Sequence, residues 1–349
     1  MKCILLTLEY PPFKGGVANY YGHMTKHWPD KEGIEIINHT SGHWLKALWQ
    51  LYKSLSKNPD AFVLIGQVLP LGTVAWLQYL IKPYKYGVFL HGMDFTYAQK
   101  TPRKTWLMFK ALSNAQKIIC ANSYVSQLVK EWKPELSDKI IIINPGVDDT
   151  SFNRLENTTL LLQDKYQTKN KITLLTLGRL VKRKGVDMVI KALAILDEAT
   201  KNKICYLVAG TGEADYYLKD LAISQNVKVV FTGEVTDLEK WSFLDLCDIF
   251  IMPARSVEGD FEGFGIVYLE ANLYGKPVIA GRSGGVADAV IDQETGLLVN
   301  PECANEIAAA IKLLVEDSEK RLKFGKQGRE RILRDFLWSD QIKKLYNNL

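Results

Sequence analysis

Strands alternate with helices along this chain, the pattern breaks at a polar stretch, and then it runs again. This predicts an α/β protein of two Rossmann-like, doubly wound domains facing a cleft. Three observations carry the prediction. At 349 residues the chain exceeds the size at which a single core stops growing. Short runs rich in Ile, Leu and Val end in glycine-bearing turns and lead into amphipathic stretches. Residues 150–170 are polar and irregular, as a linker is, which sets the domains at 1–165 and 166–335.

The first half opens on KCILLTL (2–8), a buried strand. The loop EYPPFKGG leads to VANYYGHMTKHW, a helix; its glycines do not fit G-x-G-x-x-G, so a nicotinamide fingerprint is missing. IEIIN (34–38) is the second strand. Between 44 and 57, Trp44, Leu48, Leu51 and Leu55 fall at helical spacing, with Lys46, Lys53 and Lys57 among them. Residues 61–81 carry no charge and are long enough to span a bilayer. Gly66, Gln67, Pro70, Gly72 and Gln78 divide them into a strand, AFVLIG, and a helix, LGTVAWLQYLI. YGVFLHG is a strand ending on His91 and Gly92, with Asp94 beyond. Residues 100–110 are basic and aromatic. AQKIICANS is a strand, 123–132 a helix, and KIIIINPGVD closes this half.

After the break, ITLLTLGRL is a strand ending in Gly178-Arg179, and VKRKG leads into the helix VDMVIKALAIL. ICYLVAGTGE is a strand with a turn at Gly210 and Gly212. A helix, the strand VKVVFTGEV, the helix DLEKWSFLDLC and the strand DIFIMPA follow. EGFGIVYLE opens the next helix, and the strands KPVIAG and TGLLVN precede terminal helices at 305–316 and 318–335.

Composition narrows the function. Apolar content of 47% and charged content of 24% fit a soluble globular protein. The net charge of +5 permits affinity for nucleotide phosphates or anionic lipid without requiring it, and nothing points to nucleic acid. Five cysteines without C-x-x-C spacing read as reduced thiols of a cytoplasmic protein with no zinc site. No secretory signal is expected at the N-terminus.

The stretch Glu262 to Glu270 is the chemical centre. Two carboxylates flank Gly263-Phe264-Gly265 and a helix start. Eight helical steps are about 12 Å, so the pair reads as a ruler for a nucleotide-diphosphate sugar: Glu262 for sugar hydroxyls, the helix start for phosphate, Glu270 for the ribose. Two solvated glutamates on a surface helix would have the same spacing. Arg179 and Lys184 lie just past a strand end, where α/β sheets bind ligands, and suit a pyrophosphate clamp. A solvated basic turn is the alternative, since Lys182 and Arg183 are also there. His91 is placed to donate to a sugar oxygen or to lie beside the reacting centre, or else is structural. Gly15 and Gly16 let the first helix approach phosphate or acceptor, or simply form a tight turn. No Asp-x-Asp pair occurs, so a divalent metal on the donor diphosphate has no evident ligands and none is expected to be required.

GGVANY, the strand-end HG, NPGVD, GRLVKRKG, the VAGTGE turn, DIFIMPAR, EGFGIVYLEA and SGG followed by TGLLV occur in order over nearly the whole chain. Together they resemble retaining glycosyltransferases of family 4, of GT-B fold. Among these the chain looks closest to mannosyltransferases that use GDP-mannose to build phosphatidylinositol mannosides. The resemblance implies a nucleotide-sugar donor, GDP-mannose, and a lipid-linked or glycan acceptor. It implies that Arg179 and Lys184 hold the diphosphate, Glu262 the hexose and Glu270 the ribose. Gly263, Phe264 and Gly265 would offer backbone N–H groups, and His91 would sit beside the transferred sugar. Gly16 and the Gly210 turn would line the donor site, with Gly233 and Val235 by the base. Gly15 and Asp94 would lie on the acceptor side; Asp94 departs from the Glu usual in the closest subfamily. The terminal segment 336–349 would return to the first domain as a helix. Retention would follow from front-face attack, with the leaving phosphate oxygen taking the acceptor's proton.

The tryptophans at 44, 49 and 106, with nearby lysines and Arg103, suit a peripheral anionic surface on the inner face of the cytoplasmic membrane, or else the tryptophans face the core. UDP-sugar enzymes of the same family would share these motifs. A non-catalytic nucleotide-sugar-binding scaffold predicts loss of Arg179, Lys184 or Glu262, and all are present. A nicotinamide-dependent oxidoreductase predicts the G-x-G-x-x-G turn that is missing.

Overall fold

The computed structural model describes residues 1–13, 15–30, 32–38, 44–149 and 156–349. Two compact units emerge, 1–145 together with 338–349, and 146–337.

The first unit is built on β1 (Cys3–Thr7), α1 (Gly16–Lys26), β2 (Ile34–Asn38), α2 (Trp44–Lys57), β3 (Phe62–Ile65) and α3 (Leu71–Ile81). It continues through β4 (Tyr86–Leu90), α4 (Met93–Ala98), α5 (Pro102–Asn114), β5 (Lys117–Cys120), α6 (Ser123–Trp132) and β6 (Ile140–Ile142). Its strands pair in parallel in the order β2-β1-β3-β4-β5-β6. β1, β3 and β4 are buried throughout, which is why they read as continuous apolar runs. Alternate side chains feed two cores. Leu6, Val63, Ile65 and Val88 lie with α3 on one face, while Leu5, Leu64 and Phe89 lie with Tyr20 and Tyr21 of α1 on the other. The uncharged run 61–81 is divided as expected between β3 and α3, and no helix among the described residues is long and apolar enough to cross a membrane.

The second unit contains α7 (Glu156–Lys165), β7 (Ile172–Leu177), α8 (Val186–Ala194), α9 (Glu198–Lys201), β8 (Ile204–Ala209) and α10 (Asp215–Ser224). Then come β9 (Val229–Gly233), α11 (Asp237–Leu246), β10 (Ile249–Met252), α12 (Ile266–Leu273) and β11 (Val278–Gly281). α13 (Val286–Ala289), β12 (Gly296–Val299), α14 (Ala304–Glu316) and α15 (Ser318–Asp335) complete it. The strands again run in parallel, in the order β12-β11-β10-β7-β8-β9. α8 packs with Leu174 and Ile251 on one face, and α12 with Leu175 and Phe250 on the other. The α/β class and the doubled, doubly wound topology agree with the reading of the sequence.

Local details differ from those expectations. The first domain was expected to run to 165, but the observed division falls at 145/146. The polar segment contains α7, which packs on α11 and buries Leu162 in the second unit's core; residues 150–155 of the expected linker lie outside the described residues. The returning terminal helix is α16 (Trp338–Asn347), beginning two residues later than 336: Phe336 is buried in the second unit beside Phe264, whereas Trp338, Ile342 and Leu345 are buried with Tyr20, Tyr21 and Met24. α4 was not foreseen, because a six-residue helix is too short to show a period. Of the two readings of Trp44, the exposed one holds: it is 48% exposed as the first residue of α2, while Ala47, Leu51 and Leu55 are the buried apolar residues.

Candidate active site

In the second sheet, chain order reverses between β7 and β10, which are neighbours whose following helices leave to opposite faces. Such a switch point opens a crevice at the strands' C-terminal ends. After β7 the chain forms a 3-10 turn, Lys182–Lys184, ended by Gly185 in the left-handed region at φ 75°. A Cβ there would lie 2.2 Å from the Pro253 carbonyl oxygen at the end of β10, so only glycine lets these strand ends meet. The Arg255 N–H donates to the Arg183 carbonyl at 2.9 Å. Behind the turn, the buried Arg255 donates to both carboxylate oxygens of Asp187, at 3.0 and 2.9 Å.

Glu262 lies within this arrangement and is 8% exposed. Its Oε2 accepts from Lys184 Nζ at 2.7 Å and from Arg183 Nη1 at 2.6 Å. Lys184 and Glu262 are thus brought together. Arg179, expected to partner Lys184, is exposed and forms no ion pair among the described residues. Arg183, read above as part of a solvated turn, takes the place beside Lys184. The sequence did hold a signal: a Lys-Arg-Lys turn has its opposite number in Asp260-Phe261-Glu262.

The ruler needs correction. Gly265 is left-handed at φ 80° and caps α12, so the helix starts at Ile266 and Glu262 precedes it in the loop; eight helical steps do not separate the carboxylates. No side chain caps α12, which leaves its first N–H groups available for an anion. Phe264 is buried in the core beside Phe336, so its side chain is structural and only its backbone is left for a ligand. Gly263 is partly exposed. Glu270, the expected ribose ligand, accepts from Lys240 Nζ at 2.7 Å, and Lys240 lies over the Trp241 ring at 4.0 Å.

Gly210 and Gly233 end β8 and β9, and the Gly210 N–H donates to the Gly233 carbonyl at 2.8 Å. A Cβ on Gly210 would meet the Gly178 carbonyl oxygen at 2.0 Å, so its absence serves packing between strand ends, whereas a Cβ on Gly233 would meet no atom within 4 Å. Val235 is partly buried against the second unit's core.

In the first unit the switch point falls between β1 and β3. Gly15 and Gly16 follow β1 at the start of α1, which has no side-chain cap. A Cβ on Gly16 would find no atom within 4 Å, and one on Gly15 only ordinary contacts, so packing demands glycine at neither position. His91 follows β4 directly. The Tyr21 hydroxyl donates to the Gly66 carbonyl at 2.5 Å and lies 2.7 Å from His91 Nε2. With its one proton committed, the hydroxyl accepts from His91 Nε2–H, which fixes the tautomer. Burial pushes the imidazole down to about 4. His91 is therefore neutral near pH 7, and its Nδ1 carries a lone pair. With Nε2–H committed to Tyr21, Nδ1 is left as an acceptor rather than the donor that was expected.

Asp94 Oδ1 accepts from the His91 and Gly92 N–H groups at 3.0 and 2.9 Å. Burial pushes its carboxyl up to about 6, against the backbone bonds that would lower it. Its Oδ2 is buried without a partner among the described residues. The five cysteines are free thiols, with Cys3, Cys120 and Cys247 buried and Cys205 and Cys303 partly so.

The chemistry of the second-unit site is cationic recognition beside an uncapped helix start, with a carboxylate set into it. Residues 161–331 match the family described as glycosyl transferases group 1. A GDP-mannose-dependent alpha-(1-6)-phosphatidylinositol monomannoside mannosyltransferase of Mycobacterium tuberculosis is 27% identical, over 99% of this chain and 97% of that protein. Anabaena HepE, solved in complex with UDP, matches with a TM-score of 0.82 at 17% identity over 100% of both chains. Sucrose-phosphate synthase from Thermosynechococcus elongatus gives 0.80 at 20% identity, over 99% of this chain and 98% of that one. At such identities the two structures establish the fold. Residues 161–331 therefore form a glycosyl transferases group 1 domain, in a chain of GT-B fold.

Proposed function

We propose that the protein is a retaining hexosyltransferase that moves mannose from GDP-mannose to a hydroxyl of a lipid-linked or glycan acceptor, with no metal required. The observation that carries this is the switch-point site: Arg183 and Lys184 on Glu262, beside the uncapped start of α12. Mannose and GDP are suggested by the name of the mycobacterial relative, which spans nearly the whole chain. Lys184, Arg179 and the helix start hold the diphosphate and stabilise the charge that develops as the glycosidic bond breaks. Glu262 accepts from hexose hydroxyls, Glu270 from the ribose, and the backbone at Gly263–Gly265 meets sugar and phosphate. The Gly210 turn lines the donor and Gly233 and Val235 lie by the base; in the first unit, Gly16 offers its backbone to a phosphate, and Gly15 and Asp94 act on an acceptor. His91 Nδ1 accepts from a sugar hydroxyl. Attack on the same face lets the leaving phosphate oxygen take the acceptor's proton, which retains the anomeric configuration.

The membrane side of the proposal rests on exposed aromatics among basic residues. Trp49 of α2 is 60% exposed and Trp106 of α5 is 50% exposed, with Lys53 and Lys110 over their rings at 5.2 and 5.7 Å. The proposed location is peripheral, on the inner face of the cytoplasmic membrane.

One assay tests this reading. GDP release and product formation from GDP-mannose are followed with vesicles of anionic or zwitterionic lipid as acceptor source. Expected are an α-mannosyl product, faster transfer on anionic vesicles, and a loss of about 10²–10³-fold in Lys184→Ala and Glu262→Ala with the fold retained. Wild-type turnover in either variant removes the site assignment. A product of inverted configuration removes retention, and indifference to lipid charge removes the membrane surface.

A further inference from the structure

A carboxylate as deeply set as that of Glu262 is costly unless it is paired. Here two cations converge on one oxygen, Oε2, and Arg183 is the more constrained of them. Its Nε donates to Asp260 Oδ2 at 3.1 Å, and its own carbonyl accepts from the Arg255 N–H at 2.9 Å. Asp260 closes a tight turn from Val257, held by reciprocal backbone bonds of 2.8 and 2.9 Å. The two central residues, Glu258 at φ 51° and Gly259 at φ 83°, are both left-handed, as in a type I′ turn. The guanidinium is thus fixed by its backbone, by Asp260 and by Glu262. A lysine ammonium is a point charge that can follow a rotating carboxylate; a planar fork cannot. With Oε2 occupied by both cations, Oε1 has no partner among the described residues.

We infer that Arg183, pinned by Asp260, is a positioning residue that fixes the Glu262 carboxylate so that Oε2 is saturated and Oε1 is presented to a hydroxyl of the donor sugar. This rests on the proposed reading of Glu262 as the hexose-binding group. The four charges, Arg183 and Lys184 against Asp260 and Glu262, balance. Arg183→Lys keeps that balance and removes only the fork, so it separates orientation from charge.

The test compares wild type, Arg183→Lys, Asp260→Asn, Glu262→Gln and the double variant Arg183→Lys/Glu262→Gln. Binding of GDP and of GDP-mannose is measured by calorimetry, and kcat/KM for GDP-mannose is measured on the same proteins. Arg183→Lys is expected to bind GDP as the wild type does while losing about tenfold or more in kcat/KM, the scale of a lost charge-assisted hydrogen bond. Asp260→Asn, whose side chain is 46% exposed, should fold normally and move the same way by less. The double variant should be no worse than Glu262→Gln, since both changes act through one carboxylate. Wild-type kcat/KM in both Arg183→Lys and Asp260→Asn overturns the inference. So does a double variant whose losses add in full, or an equal fall in affinity for GDP and GDP-mannose, which would make Arg183 a phosphate ligand. A wild-type protein that neither binds nor turns over a nucleotide sugar overturns the proposed function first and the inference with it, so the two failures are told apart.

Discussion

His91 and Asp94 stand three residues apart and titrate in opposite senses. The unfolded chain protonates histidine near 6.5, but burial delays this in the fold to about 4. The stability His91 contributes is therefore full above 6.5 and is lost as pH falls through 4. Asp94 gives up its proton near 6 in the fold, against an ordinary 3.8. Its contribution is full below 3.8 and is lost as pH rises through 6. Between pH 4 and 6 the two slopes oppose each other. Relative to wild type, Asp94→Asn is expected to lose stability on acidification across this window and His91→Gln to gain it, read from urea midpoints at pH 4, 5 and 6. Slopes of the same sign in both variants would contradict the assignment. Lys184 and His91 were legible because each is a polar group following an apolar strand, and Glu262 because it stands before a Gly-Phe-Gly turn and a helix. Arg183 was not, because its partners lie 77 and 79 residues away and nothing local separates a bonded arginine from a solvated one. The direction of hydrogen bonding at His91 depends on Tyr21, 70 residues away, and on the Gly66 carbonyl to which Tyr21 donates.

At the scale of elements, the turn after β7 depends on one glycine. Gly185→Ala forces a left-handed residue with a side chain against the Pro253 carbonyl. A cost of about 2 kcal/mol or more is expected, with reduced nucleotide affinity because Lys184 moves with the turn. Gly16→Ala is the control: the added methyl group meets no atom, so stability should hold, and any loss of nucleotide affinity reports a ligand at the start of α1. Chemical denaturation and calorimetry on both variants decide this; a Gly185→Ala protein as stable as wild type would contradict the packing argument. The strands were legible because burial on both faces leaves continuous Ile, Leu and Val runs. α7 was hidden because its sequence, ENTTLLLQDK, is polar over most of its length and buries Leu162 alone among its leucines. The start of α12 was placed too early because its Gly265 cap lies inside a run that reads as helical.

At the scale of the molecule, two six-stranded parallel sheets, ordered 2-1-3-4-5-6 and, counted from β7, 3-2-1-4-5-6, each carry a switch point, and the chemistry-bearing residues gather at those edges. The repeat of element order was visible in the sequence. The division at 145/146 was not, since it depends on which core takes up α7. The proposed function makes the second-unit edge a site for a guanine-nucleotide sugar. Calorimetric titration of the whole chain with GDP, UDP and ADP, without added metal, tests it most directly. GDP is predicted to bind in preference to the other two, and Lys184→Ala to abolish that binding. A preference for UDP, or no binding of any of the three, would contradict the account.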